Sequence, residues 1–278
     1  MGPCSSFYEE ISQPEEKINL TRAALLHMRE EFPNLNMESC FTEIHSLALA
    51  LEDRFRIQEK RQTLKERIRV ISHFIFDEVQ FKENNQEPHS VKNYYLHEVI
   101  RRKKGSALGL SLIYLQVLHD LSFKASCIDF PGHFLIKVKG PRSVYFVDPV
   151  NRGAILKRTD LEQMLKGVFG ERMPLQKEYL NELSKKKTLF RLLAHIKAIW
   201  MAKENFYKAL KVMEKMQMLD SGETTVYRDR GFAYCMMRNY QKAVSDFKQY
   251  LKLAPKADDA RAVELQMNLL QRAVHDTN

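Results

Sequence analysis

Apolar residues recur at helical spacing through the first eighty positions. Leu64, Ile68, Ile71 and Ile75 step by four, three and four, which makes one face of an amphipathic helix. Upstream, Thr21 is of a helix-capping type and precedes Ala23, Leu25, Leu26 and Met28. Pro33 stops that run, because the residue before a proline avoids the helical region. Residues from about 15 to 82 therefore read as helices. From Phe81 to Ser90 the chain turns polar, which predicts a loop, and a helix is expected over Lys92 to Arg102. After Gly105 comes a stretch that is apolar on nearly all sides: Leu108, Leu110, Leu112, Ile113, Leu115, Val117, Leu118 and Leu121. Such a helix lies buried in the middle of a domain.

The period then changes. Ala125 to Phe130, Phe134 to Val138 and Val144 to Val147 are short and β-rich, and Lys139-Gly140-Pro141-Arg142 between the last two is a turn signal. A strand at Ala125 followed by an antiparallel hairpin is predicted. If the turn centres on Gly140-Pro141, residues whose numbers sum to 281 face each other, and His133 then stands opposite Asp148 on the same face. Residues 160 to 188 look helical and then charged, with a boundary near Ser184 to Lys187. The expected fold is α+β and helix-rich: a mixed domain over 15–184, then an all-α array over 188–274.

Within that array two segments match. Lys203 to Leu210 resembles Met237 to Val244, with Phe206 over Tyr240 and Ala209 over Ala243, an offset of 34 residues. That is the tetratricopeptide period. Gly231, Ala233 and Tyr234 precede the second copy and Pro255 follows it. The small residues let two helices approach, the aromatic residues fill the turn, and Pro255 ends the hairpin. Hairpins of this kind are expected to stack on one another, on a final helix, here about Asp258 to Val274, or on the middle domain. The array is rich in methionine, which reads mainly as core filler and secondarily as an adaptable binding surface.

Composition narrows the function classes. Of 278 residues 44% are hydrophobic, enough for real cores, while 10 Gly and 9 Pro are too few for a turn-rich all-β fold. No apolar run reaches the length of a membrane span. The start, Met1-Gly2-Pro3-Cys4, lacks a secretion-signal order. It matches the bare myristoylation pattern, with Cys4 as a second acyl position, although no polybasic partner is near and a frayed terminus is the plainer reading. Cys4, Cys40, Cys127 and Cys235 are too scattered for a disulfide framework or a zinc set, which fits a reducing cytoplasm. The histidines show no metal spacing, so neither metal nor cofactor is expected. A net charge of +9 permits an acidic partner. The basic runs Arg101 to Lys104 and Lys185 to Lys187 are short and lack interleaved aromatics, which argues for solvated helix ends rather than a nucleic-acid surface.

A carboxylate opposite His133 would fix the imidazole tautomer and leave its other nitrogen as a base. A thiol at the start of the buried helix would complete a nucleophilic site. Val99 to Gly105, Phe130-Pro131-Gly132-His133-Phe134-Leu135 and Phe146-Val147-Asp148-Pro149 resemble the bacterial SirB-type family, which couples a transglutaminase-like (papain-like thiol) core to C-terminal tetratricopeptides. The resemblance covers roughly residues 20 to 260. It implies Cys, His and Asp in that order, with the cysteine two residues after a glycine. Here that position is Ala107, which cannot be a nucleophile, while His133 and Asp148 match the other two. The resemblance therefore implies a non-catalytic descendant whose repeats bind a protein or peptide, with no oligomeric state specified. The alternative is a hydrolase or acyl transferase using Ser106 or Cys127 with His133 and Asp148. Ser111 lies deeper in the buried helix and is a weaker candidate.

Overall fold

The computed structural model describes residues 6–57, 62–170 and 173–276, the last four by backbone alone. The acylation reading at Gly2 and Cys4 lies outside these. The chain divides into two compact units, Met1–Thr188 and Leu189–Asn278.

The first unit opens with helices α1 (Phe7–Ile11), α2 (Leu20–Arg29), α3 (Met37–Ile57) and α4 (Leu64–Ser72). The cap of α2 is Asn19, not Thr21. The Asn19 Oδ1 accepts from the Arg22 amide at 2.8 Å, while Thr21 is buried. Thr63 and Glu66 form a reciprocal capping box at the start of α4. Ile68, Ile71 and Ile75 are buried as their spacing requires. Their face runs on into a π-helical turn, His73–Glu78, that also buries Phe74 and Phe76.

The polar stretch expected as a loop contains a strand, β1 (Lys82–Glu83), which pairs in parallel with β2 (Lys104–Gly105). Two residues are too few to show a period. The helix expected from Lys92 starts later, as α5 (Leu96–Arg102), because Val91–Asn93 forms a single 3-10 turn. Then α6 (Ala107–Asp120) runs through the core, buried without a break from Leu108 to Leu115.

On α6 packs an antiparallel meander of β3 (Lys124–Phe130), β4 (His133–Lys139), β5 (Val144–Asp148) and β6 (Ala154–Leu156). Phe130 pairs with His133 around Pro131-Gly132, where Gly132 has φ +73°. Proline followed by a left-handed glycine is the type II turn signature. The β4–β5 register differs from the expected one. Lys139 pairs with Val144 and Ile136 with Val147, so facing residues sum to 283. The turn centres on Pro141-Arg142, since proline's fixed φ suits the first central position and disfavours the second. Continued one step past the ladder, that register brings Asp148 level with Leu135, two residues along from His133. The helix expected over 160–188 is confined to α7 (Arg158–Phe169), whose Leu161 and Leu165 pack on Ile128, Phe130 and Leu135.

The second unit begins within α8 (Lys185–Ala202) and continues through α9 (Phe206–Leu219), α10 (Thr224–Met236), α11 (Tyr240–Leu253) and α12 (Ala260–Asp276). The offset of 34 is visible in the backbone. Glu204 and Arg238 are both left-handed, at φ 56° and 58°. The next residues, Asn205 and Asn239, donate their amides to the carbonyls of Trp200 and Tyr234, each at 2.9 Å. Their side chains then cap α9 and α11. Ala209, Ala233 and Ala243 are fully buried, Phe206, Tyr234 and Tyr240 are half-buried, and Pro255 lies exposed just past α11. Gly231 is needed for contact: a Cβ there would stand 2.4 Å from the Phe247 ring. The first copy has Lys197 at the equivalent place, and its ammonium pairs with Asp229. The methionines divide, with Met213 and Met216 buried and Met218, Met236 and Met237 exposed.

Candidate functional site

The N-terminus of α6 is held by one main-chain carbonyl. Asn93 O accepts from the Ser106 amide at 2.9 Å and from the Ser106 hydroxyl at 3.1 Å. The same hydroxyl accepts from the Gly109 amide at 3.1 Å, so Ser106 is the N-cap. Asn93 is itself locked. Its buried side chain donates to Glu87 O at 2.7 Å and accepts from the Asn84 amide group at 2.9 Å. A Cβ on Gly109 would approach Asn93 O to 2.6 Å, so glycine there permits the close contact. Sequence reasoning missed this network. Its one legible trace is a pair of asparagines nine residues apart in a polar stretch.

Ala107 sits in the first turn of α6, half-buried, and offers no polar atom. His133 opens β4 and is exposed. Its ring lies 6.5 Å from that of Phe130, and it makes no hydrogen bond to a described residue. Asp148 is buried at the end of β5. One of its oxygens accepts from the amides of Val150 at 3.0 Å and Asn151 at 3.3 Å, shaping the turn into β6. The expected face-to-face pair of His133 and Asp148 is thus not formed: the register sets them two residues apart, and Asp148 serves the backbone. Cys127, on β3, is 2% exposed, and burial pushes its thiol well above the ordinary range. Ser111 is fully buried, and its hydroxyl has no hydrogen-bond partner among the described residues. No group of three or more metal-ligating side chains occurs among the described residues.

What does gather at the helix start is acidic. Glu83 pairs in the ladder with Gly105, two residues before Ala107. Burial first, and then the neighbouring charge of Asp148, raise the Glu83 carboxyl above its ordinary value of 4.5. Burial likewise raises the Tyr94 phenol, which hydrogen-bonds Ser106 and feels the charge of Glu83. Glu83 escaped sequence reasoning because a two-residue parallel strand leaves no local pattern. A raised folded-state value means that Glu83 supports folding below pH 4.5, and that this support is lost as pH rises through the folded value. Glu83→Gln is therefore expected to be more stable than wild type at pH 7, with the gap closing near pH 4. Urea titrations at the two pH values check this, and a gap that widens at low pH would refute it.

Residues 38–194 match the profile of the transglutaminase-like superfamily, more than half of the chain. The chain belongs to the transglutaminase-like superfamily. Residues 196–268 match a tetratricopeptide repeat profile, and no solved structure matches. A UPF0162 protein of Xylella fastidiosa is 25% identical over 244 residues, 87% of this chain and 86% of its own. A UPF0162 protein of Vibrio cholerae is 26% identical over 215 residues, covering 77% and 78%. Protein SirB1 of Salmonella typhimurium is 24% identical over 177 residues, covering 63% and 65%. The SirB-type resemblance read from the three short motifs therefore stands. In this transglutaminase-like chain the matched span includes Ala107, His133 and Asp148.

Proposed function

We propose that this transglutaminase-like protein performs no thiol chemistry and acts as an interaction module, holding a protein partner through its tetratricopeptide hairpins. The observation that carries the reading is the state of the three positions that the resemblance assigns to the thiol-enzyme order: an alanine at the helix start, an exposed histidine without a hydrogen-bond partner among the described residues, and a carboxylate turned to the backbone. The serine alternative is weakened because the Ser106 hydroxyl is committed to Asn93 O. The Cys127 alternative is weakened because a buried, strongly protonated thiol is inert. On the binding side, Phe232 and Met236 stand four residues apart on α10 and are exposed, the kind of adaptable apolar surface a partner covers. The described residues contain no helix long and apolar enough to cross a membrane. Cys40, Cys127 and Cys235 are free thiols, which supports a reducing compartment such as the cytoplasm.

Ala107→Cys tests the catalytic half. The carboxylates of Glu83 and Asp148 oppose ionisation of a thiol there, against the pull of the helix N-terminus. The introduced thiol is expected to alkylate with a midpoint near the free value of about 8.5. Neither wild type nor variant should release ammonia from a glutamine-rich protein or attach an amine to it. Turnover by wild type that disappears in Ser106→Ala or Cys127→Ala would sink the proposal. For the binding half, full-length chain is used as bait, and Met236→Glu should lose partners that His133→Ala retains.

A further inference from the structure

A cleft of about 490 Å3 lies between α4 and β6, away from the α6 N-terminus. Lys65, Arg69 and His73 line it at successive helical steps, and Arg152 and Lys157 flank β6 on the opposite wall. A second cavity of about 500 Å3 shares Arg69 and His73 with it and adds Arg54, so the basic lining extends from α4 to α3. Some of this charge is already matched. Arg152 is bound to Asp77, Arg54 holds Glu78 through two hydrogen bonds of 2.6 Å, and His73 contacts Asp77 at 2.8 Å. Lys65, Arg69 and Lys157 form no ion pair with a described residue, and the electrostatic neighbour of Arg69 is Glu66 on its own helix.

The cleft floor is an edge strand. Among the described residues β6 pairs with β5 on one side and with no strand on the other. A free strand edge is a template for an added extended chain. Cations around it repel the same edge of a second copy and favour an acidic segment. Among the described residues the aromatic rings lining the cleft are Tyr145, half-buried, and His73, already held by Asp77, which together make no platform for stacked bases. Val144 is 48% exposed at the rim and offers an apolar contact for the alternate side chains of such a segment.

We propose that this cleft binds an extended acidic peptide segment as a fifth strand beside β6. The site is distinct from the proposed tetratricopeptide surface and does not depend on it. Full-length protein is titrated into a fluorescein-labelled Glu-Val-Glu-Val-Glu-Val peptide and followed by anisotropy. Saturable binding is expected, weakened at least tenfold by Lys65→Glu with Arg69→Glu. Both positions sit outside the core, so circular dichroism should report an unchanged fold. N-methylation of alternate backbone amides of the peptide should also cost at least tenfold, because it removes the strand-pairing donors. No saturable binding, or binding indifferent to the charge reversal or to N-methylation, overturns the proposal. Full displacement of the peptide by a single-stranded oligonucleotide of equal charge at equal or lower concentration also overturns it, in favour of a polyanion site.

Discussion

Gly153→Ala is expected to destabilise the first unit by about 4 kcal/mol, from left-handed strain of about 1–2 and overpacking of about 1–3. Gly153 has φ +69°, and an added methyl would stand 2.3 Å from Ser72 Oγ, 2.5 Å from Ser72 Cβ and 2.9 Å from Phe76 Cε2. None of these can retreat cheaply. Ser72 is buried, donates to Gly153 O at 2.9 Å and shares a 2.9 Å hydrogen bond with the fully buried Tyr114 hydroxyl on α6. The Gly153 amide donates to Asp148 O at 2.9 Å, so the turn that seats Asp148 is strained as well. Urea denaturation followed by circular dichroism measures the loss. A change below about 1 kcal/mol would mean that the turn relaxes freely and that the Ser72–Tyr114 pair does not pin it.

Asp246→Ala is expected to cost the second unit about 3 kcal/mol, the lower end of the usual range for breaking a buried ion pair. Asp246 is 5% exposed on α11 and accepts two hydrogen bonds, 2.9 and 2.6 Å, from the Arg230 guanidinium on α10. Arg230 also donates to Gln217 on α9, so one cation ties three helices. Removing the carboxylate strands that charge, and its 18% side-chain exposure returns only part of its hydration. Replacing both partners with apolar residues, Arg230→Met with Asp246→Leu, should recover most of the loss. The chain's one tryptophan, Trp200, lies in the second unit and reports its unfolding by fluorescence. A double variant no more stable than Asp246→Ala would show that the pair acts through more than charge.

Legibility differed by element. The long periodic or apolar segments, α4, α6 and the β3–β5 strands, were readable because local burial writes itself into spacing. The repeat was readable because two copies could be compared, and the 34-residue offset reappears as paired left-handed turns at Glu204 and Arg238. β1, β2 and β6 were not readable: strands of two or three residues carry no period, and they exist only through their partners. The cap of α2 moved from Thr21 to Asn19 because Asn19 is itself held by the Glu10 carboxylate at 2.6 Å, a contact across nine residues.

The candidate site shows the same division. The sequence alone determined that alanine, not cysteine, stands two residues after Gly105, that His133 and Asp148 follow in that order, and that helical hairpins come after. Identity and order are properties of the chain. Only the tertiary structure decided that His133 and Asp148 do not face each other, that Ser106 is spent as a cap, and that Glu83 joins Asp148 at the start of α6. Those outcomes turn on a two-residue shift in one hairpin and on a parallel pairing between distant segments. Both are set by proline's fixed φ and by packing around the Asn93 carbonyl, at distances that sequence spacing does not encode.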